Sequence, residues 1–113
     1  MGTSEAIRSA IDSRRCLILT YRNYSRVVEP YLLGVDPRGT EVLCAYQVSG
    51  GDEAHVPIGW KTFDVHAIGG AAVLGDCFGG DRMPVPDLPA LIEIRCAVGI
   101  AVVSPRGGQS SAA

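Results

Sequence analysis

The residues best equipped for chemistry crowd into one stretch. Positions 41–68 hold both histidines, the single tryptophan, the single lysine and Cys44. His66 stands two positions after Asp64, so the pair would share a strand face and suggests acid–base work or a metal. His55 is the only other imidazole, and no third ligand follows at metal-binding spacing. Cys44 as a nucleophile would require His55 to meet it through folding, and no G-x-S-x-G elbow is present. The Gly50-Gly51 pair lacks the G-K-[ST] continuation and strand-to-helix context of a phosphate loop. No metal, cofactor or catalytic group is therefore expected, and the chain is read as a non-enzyme. Trp60-Lys61 is different: an indole can stack on a base while the adjacent ammonium meets a phosphate, the combination used by single-strand binders. The alternative is a half-buried tryptophan at a strand start beside a solvated lysine.

Whatever positions these groups must be small. A chain of 113 residues forms one domain with a single core, so no cleft between lobes is expected. Its net charge of -2 gives no protein-wide field favouring nucleic acid. The halves differ, however. Residues 1–38 contain six arginines against four acids, and residues 39–113 four cations against eight acids. An anion-binding face should draw on the N-terminal half. The four cysteines, 16, 44, 77 and 96, form no C-x-x-C pair, which excludes zinc-ribbon and thioredoxin readings. Cys16, Cys44 and Cys96 lie in apolar runs and are read as reduced, buried thiols. No apolar run approaches the roughly eighteen residues of a membrane helix. The first ten residues do not read as a secretory signal, so a cytoplasmic protein with no membrane contact is expected.

Ala6, Ile7, Ala10 and Ile11 recur at helical spacing, which predicts a short amphipathic helix capped by Thr3 or Ser4 and ending near Ser13. From Cys16 the period becomes two, predicting a strand to Arg22, a turn at Arg22-Asn23-Tyr24-Ser25, and a second strand over 26–35. Pro30 cannot donate to a ladder, so that strand is expected at an edge, bulged or bent there. Asp36-Pro37-Arg38-Gly39 has type I turn chemistry and returns the chain into a strand over 41–48. After the 49–59 loop, alternation from Trp60 through Val65 predicts a fourth strand, and 71–74 a short fifth. Three prolines and two glycines make 79–89 an extended crossing. Alternation returns over 91–98, and the last nine residues, 105–113, read as a disordered tail. The expected architecture is mainly β, a small SH3-like (Sm-like) antiparallel barrel of five to six strands with one N-terminal helix. The domain would span 1–78, and an added strand within 90–104 would pack on the barrel or on a partner.

The order of these segments resembles the WYL domain, a small SH3-like barrel of bacterial transcriptional regulators and CRISPR-associated proteins. The matching elements are the amphipathic helix, I-L-T-Y ending at Tyr21, R-V-V-E-P from Arg26, V-L-C-A-Y ending at Tyr46, K-T-F-D-V-H-A-I from Lys61, and V-L-G-D-C-F ending at Phe78. They cover about residues 7–78, and the glycine-rich loop before Trp60 is similar to that of small stand-alone members. The triplet that names the family falls on Glu41-Val42-Leu43, where only the leucine is kept. The resemblance implies a non-catalytic sensing module that binds a nucleotide or single-stranded nucleic acid in a regulatory role. Carried over by position, Arg26, Tyr46 and Lys61 would join Trp60 as ligand contacts on one face. Lys61 stands where arginine is usual, a point charge in place of a planar fork. The helix-turn-helix that usually precedes the domain is not among these residues, so direct operator binding is not expected. The alternative is an interaction protein that forms a homodimer, or pairs with a partner, through the apolar 91–103 segment.

Overall fold

The computed structural model describes residues 2–50, 58–82 and 91–98. Helix α1 (Thr3–Ser13) leads into β1 (Arg15–Tyr21), β2 (Tyr24–Val35), β3 (Glu41–Gly50), β4 (Gly59–Asp64), a 3-10 turn (Val65–Ala67), β5 (Ile68–Cys77) and β6 (Glu93–Ala97). All ladders are antiparallel and the strand path runs β4-β3-β2-β1-β5, with β6 added on β2. The mainly-β antiparallel architecture with one N-terminal helix agrees with expectation. Closure into a barrel does not occur: β4 and β5 are the two ends of the path, with no ladder between them among the described residues. A three-residue 3-10 turn joins β4 to β5, yet among the described residues β4 pairs with β3 alone and β5 with β1 alone, so the outer edges of both strands stay open.

In α1 the buried residues are Ala6, Ile7, Ala10 and Ile11, packed over β5, β1, β2 and β6. Ile7 and Ile11 are almost fully buried, each worth about 1.5–3 kcal/mol of transfer free energy. The N-cap is Gly2, whose N–H donates to Glu5 Oε1 at 3.0 Å. Ser4, expected as a cap, instead donates its hydroxyl to Glu41 Oε1 at 2.8 Å and ties the helix to β3.

β2 is the hub. Its first half pairs with β1 through Val28, and its second half with β6 from Leu32, while β3 runs along its other side. Pro30 sits in the gap between β1 and β6, where no donor is needed on that side. The expected bulge is present, between Pro30 and Leu32, but the strand is central and not an edge. Gly34 makes room for β6: a Cβ there would lie 2.7 Å from the Glu93 carbonyl oxygen.

Elsewhere the boundaries move. The two-residue loop Arg22-Asn23 closes the first hairpin, with both residues at positive φ (53° and 69°), as a type I′ turn demands. Asp36 behaves as expected: its carbonyl accepts from Gly39 N–H, and its Oδ1 from the N–H groups of Arg38 and Thr40. β4 stops at Asp64 because that carboxylate accepts the His66 N–H at 3.0 Å and caps a 3-10 turn. β5 runs for ten residues, longer than the expected 71–74, with Gly69 and Gly70 inside it. One core cluster runs from Ala6 to Val98, and the added strand β6 packs on β2 with Cys96 and Val98 in that core. His55, most of the 79–89 crossing and the 105–113 tail lie outside the described residues.

Candidate functional site

The ladder register sorts the sequence-predicted residues onto two faces. Tyr46 stands opposite Trp60 on β4 and opposite Glu29 on β2, so Glu29, Tyr46 and Trp60 form one row. Lys61 stands opposite Ala45, one position along, and side chains alternate, so it projects from the other face with Phe63. Arg26 belongs to that second face too. Its Nη1 donates to Gln47 Oε1 at 3.3 Å, and its guanidinium lies 5.9 Å from the Phe63 ring centroid. Arg26 and Lys61 therefore share a face, as do Tyr46 and Trp60, but the four do not converge.

The Arg26 face ends at the first hairpin. Nε and Nη2 of Arg26 both donate to the Tyr21 carbonyl at 3.3 Å, and the guanidinium carbon lies 5.5 Å from the Tyr21 ring centroid. Arg22, at the tip of the turn, places its own guanidinium carbon 5.6 Å from the same ring. Tyr21 is held from behind: its ring meets Phe63 edge-on at 4.9 Å, and its hydroxyl accepts the Asp64 N–H at 3.3 Å. Tyr24 pairs directly with Tyr21 across the hairpin and is 42% exposed. Among the described residues neither arginine forms an ion pair with a carboxylate. Two guanidiniums with open donors beside two tyrosines form an electropositive, aromatic end. It can accept a phosphate on its donors and a base on the exposed Tyr24 ring.

On the opposite face the charges are paired. Arg82 lays its guanidinium over the Tyr46 ring, 3.8 Å from the centroid, and donates from Nε to Glu29 Oε1 at 2.8 Å. Its backbone N–H donates to the Tyr31 hydroxyl at 3.1 Å. Hydrogen bonding to Glu29 raises the Arg82 pKa further, and burial raises that of Tyr31. Trp60 braces the cluster edge-on, 5.6 Å from Tyr46 and 5.1 Å from Tyr31. Arg82 is the more exposed partner, 42% against 13% for the Glu29 side chain, so the carboxylate lies beneath its cation and the pair is charge-neutral.

The nucleophile and metal candidates fall into structural roles. Cys16, Cys44 and Cys96 are buried free thiols, as expected, and Cys77 is an exposed one. Burial pushes the Cys16 and Cys44 thiols up, and burial with the neighbouring Asp12 carboxylate pushes Cys96 to about 11. Activated nucleophiles shift in the opposite direction. Among the described residues no group of three or more His, Cys, Asp or Glu could hold a metal ion, and no helix is long and apolar enough to cross a membrane.

Sequence reasoning assigned Arg22 and Tyr24 to turn chemistry alone and gave Tyr21 a place in the first strand but no ligand role. The interleaving of aromatic and basic residues in Y-R-N-Y-S-R was the available signal. Arg82 carried no signal, because nothing local ties it to Tyr46. Comparison with known protein families, with curated proteins and with solved structures finds no match to this chain.

Proposed function

We propose that the chain is a non-catalytic sensing module that binds a nucleotide or a short single-stranded nucleic acid at its first hairpin. The observation that carries this reading is the pair of guanidiniums, Arg22 and Arg26, set 5.6 and 5.5 Å from one tyrosine ring and lacking carboxylate partners among the described residues. Arg26 is held in place by three hydrogen bonds, so one donor group is preorganised before a ligand arrives. Arg22 at an exposed turn is free to close on a phosphate. Lys61 extends the same face, whereas Tyr46 and Trp60 lie behind it and contribute no direct contact.

Further support comes from the N-terminal excess of arginines and from the resemblance to the WYL domain, which implies a ligand of the same chemistry in a regulatory setting. The raised thiol pKa values and the use of Asp64 as a 3-10 cap favour binding over catalysis. A cytoplasmic location is part of the proposal and rests on the reduced, unpaired cysteines. Titration of a labelled oligothymidylate and of free nucleotides, followed by fluorescence anisotropy at low and moderate salt, tests it. Binding that weakens with salt supports the reading; no binding at low salt of either probe removes it.

A second reading is favoured by a separate observation. Ile92, just before β6, and Ile94, within it, are 65% and 45% exposed, an apolar pair inside the 91–103 segment expected to pair with another chain. On this reading β6 is where a second copy or a protein partner packs.

A further inference from the structure

The face behind the hairpin contains a site for which the chain supplies its own occupant. Glu29, Tyr46 and Trp60 form a row across three strands. Above it the Arg82 guanidinium lies 3.8 Å from the Tyr46 centroid and 2.8 Å from Glu29 Oε1. A flat cation on an aromatic face with a carboxylate at its edge is how guanidinium groups are recognised. Burial is unequal between the partners: the Glu29 side chain is 13% exposed and that of Arg82 is 42% exposed. A nearly buried carboxylate requires a cation, since leaving it unpaired is costly. The cation itself is on the wet side of the pair and is not trapped. The walls do not depend on it, because Trp60 packs edge-on against both Tyr46 and Tyr31.

We propose that Glu29 and Tyr46, braced by Trp60, form a guanidinium-binding site that Arg82 fills in cis and that an arginine side chain or a small guanidinium compound can fill in its place. This site is independent of the hairpin site, lies on the opposite face and has the opposite charge preference, so either can fail without the other. Occupation in cis lowers the apparent affinity for any competitor by the fraction of time Arg82 is displaced.

The test uses the full chain with Arg82→Ala and two probes, agmatine and an acetyl-Gly-Arg-Gly amide, with Trp60, the only tryptophan, as reporter. Both probes are expected to give saturable fluorescence changes and to raise the melting temperature of the variant. Their affinity should be at least about tenfold tighter than for the parent chain. Glu29→Gln in the same background should abolish the response, and tetramethylammonium, which stacks but cannot donate, should bind more weakly. Tighter binding of the peptide identifies a protein-borne arginine; equal or tighter binding of agmatine identifies a small molecule. Should Arg82→Ala fail to fold, Arg82→Lys keeps a cation but not the fork, and agmatine must still bind it more tightly than the parent. No response of the folded variant to either probe up to about 10 mM, where even a weak site fills, overturns the proposal. So does a response that survives Glu29→Gln.

Discussion

Arg26 clasps Tyr21: two of its nitrogens donate to the Tyr21 carbonyl at 3.3 Å while its guanidinium carbon lies 5.5 Å from the Tyr21 ring centroid. The same side chain reaches Gln47, which is fully buried and also donates to the Gly50 carbonyl at 3.1 Å. One arginine thus ties the first hairpin to β3 while presenting charge at its end. Arg26→Ala is expected to cost about 1–3 kcal/mol in urea unfolding, since it strands a buried amide oxygen and removes charged hydrogen bonds. Arg26→Lys should recover only part of that loss, because an ammonium cannot reproduce the fork. A cost within about 0.5 kcal/mol of zero would show the clasp to be incidental.

Gly50 faces Arg26 across β2 and β3, and the β2 backbone leaves no room there for a side chain. It has a φ of +87°, and a Cβ there would lie 2.2 Å from the Ser25 carbonyl oxygen. Gly39 has a similar φ of +84° but open space around it. Gly39→Ala should therefore cost only the backbone strain, about 1 kcal/mol, and Gly50→Ala clearly more. Equal midpoint shifts in urea would contradict the close approach.

The thiols offer a pH test. Cys77 is exposed and the other three cysteines are buried, so a native-state reaction with a thiol reagent at pH 8 should modify one thiol quickly and the rest only on unfolding. The Cys96 pKa rises from 9.0 to about 11 on folding, first through burial and then through Asp12. A raised folded-state pKa means that the native state holds its proton more tightly. The associated stability is complete below pH 9 and is lost as pH climbs toward about 11. Cys96→Ala should flatten the decline over that window, as measured by urea midpoints; an unchanged profile would assign the decline elsewhere.

The β6 reading separates cleanly from the hairpin reading. Replacing Ile92 and Ile94 together by glutamate alters exposed positions only, so the fold should hold while self-association falls in sedimentation velocity. If the parent chain is monomeric across the accessible concentration range, the homodimer form of that reading is wrong.

What was legible in the sequence was local. Period-two alternation exposed β1, β2, β3 and β6, and helical spacing exposed α1, because one face of each element must bury its apolar residues. Asp36 and Gly39 announced their turn through side-chain chemistry. The end of β4 was hidden because Asp64 reads as an outward strand residue until its carboxylate is seen capping Val65–Ala67. Alternation could not show that β2 splits one side between β1 and β6, since that depends on partners far apart in the chain. The same limit governs the sites. Register, not residue type, put Lys61 with Arg26 and left Tyr46 with Trp60, and Arg82 reached Tyr46 only through the path of the chain after Phe78.

The most direct test of the hairpin site is Arg22→Asn. Asparagine tolerates the positive φ of 53° at this turn position, so the substitution removes a guanidinium while keeping or strengthening the hairpin. Oligothymidylate affinity is measured against salt for the parent and the variant. The variant should bind several-fold more weakly at low salt, with a slope of log K against log salt smaller by about 0.7, the loss of one phosphate contact to a single strand. Identical affinity and slope in the two chains, both folded, would contradict binding at this hairpin.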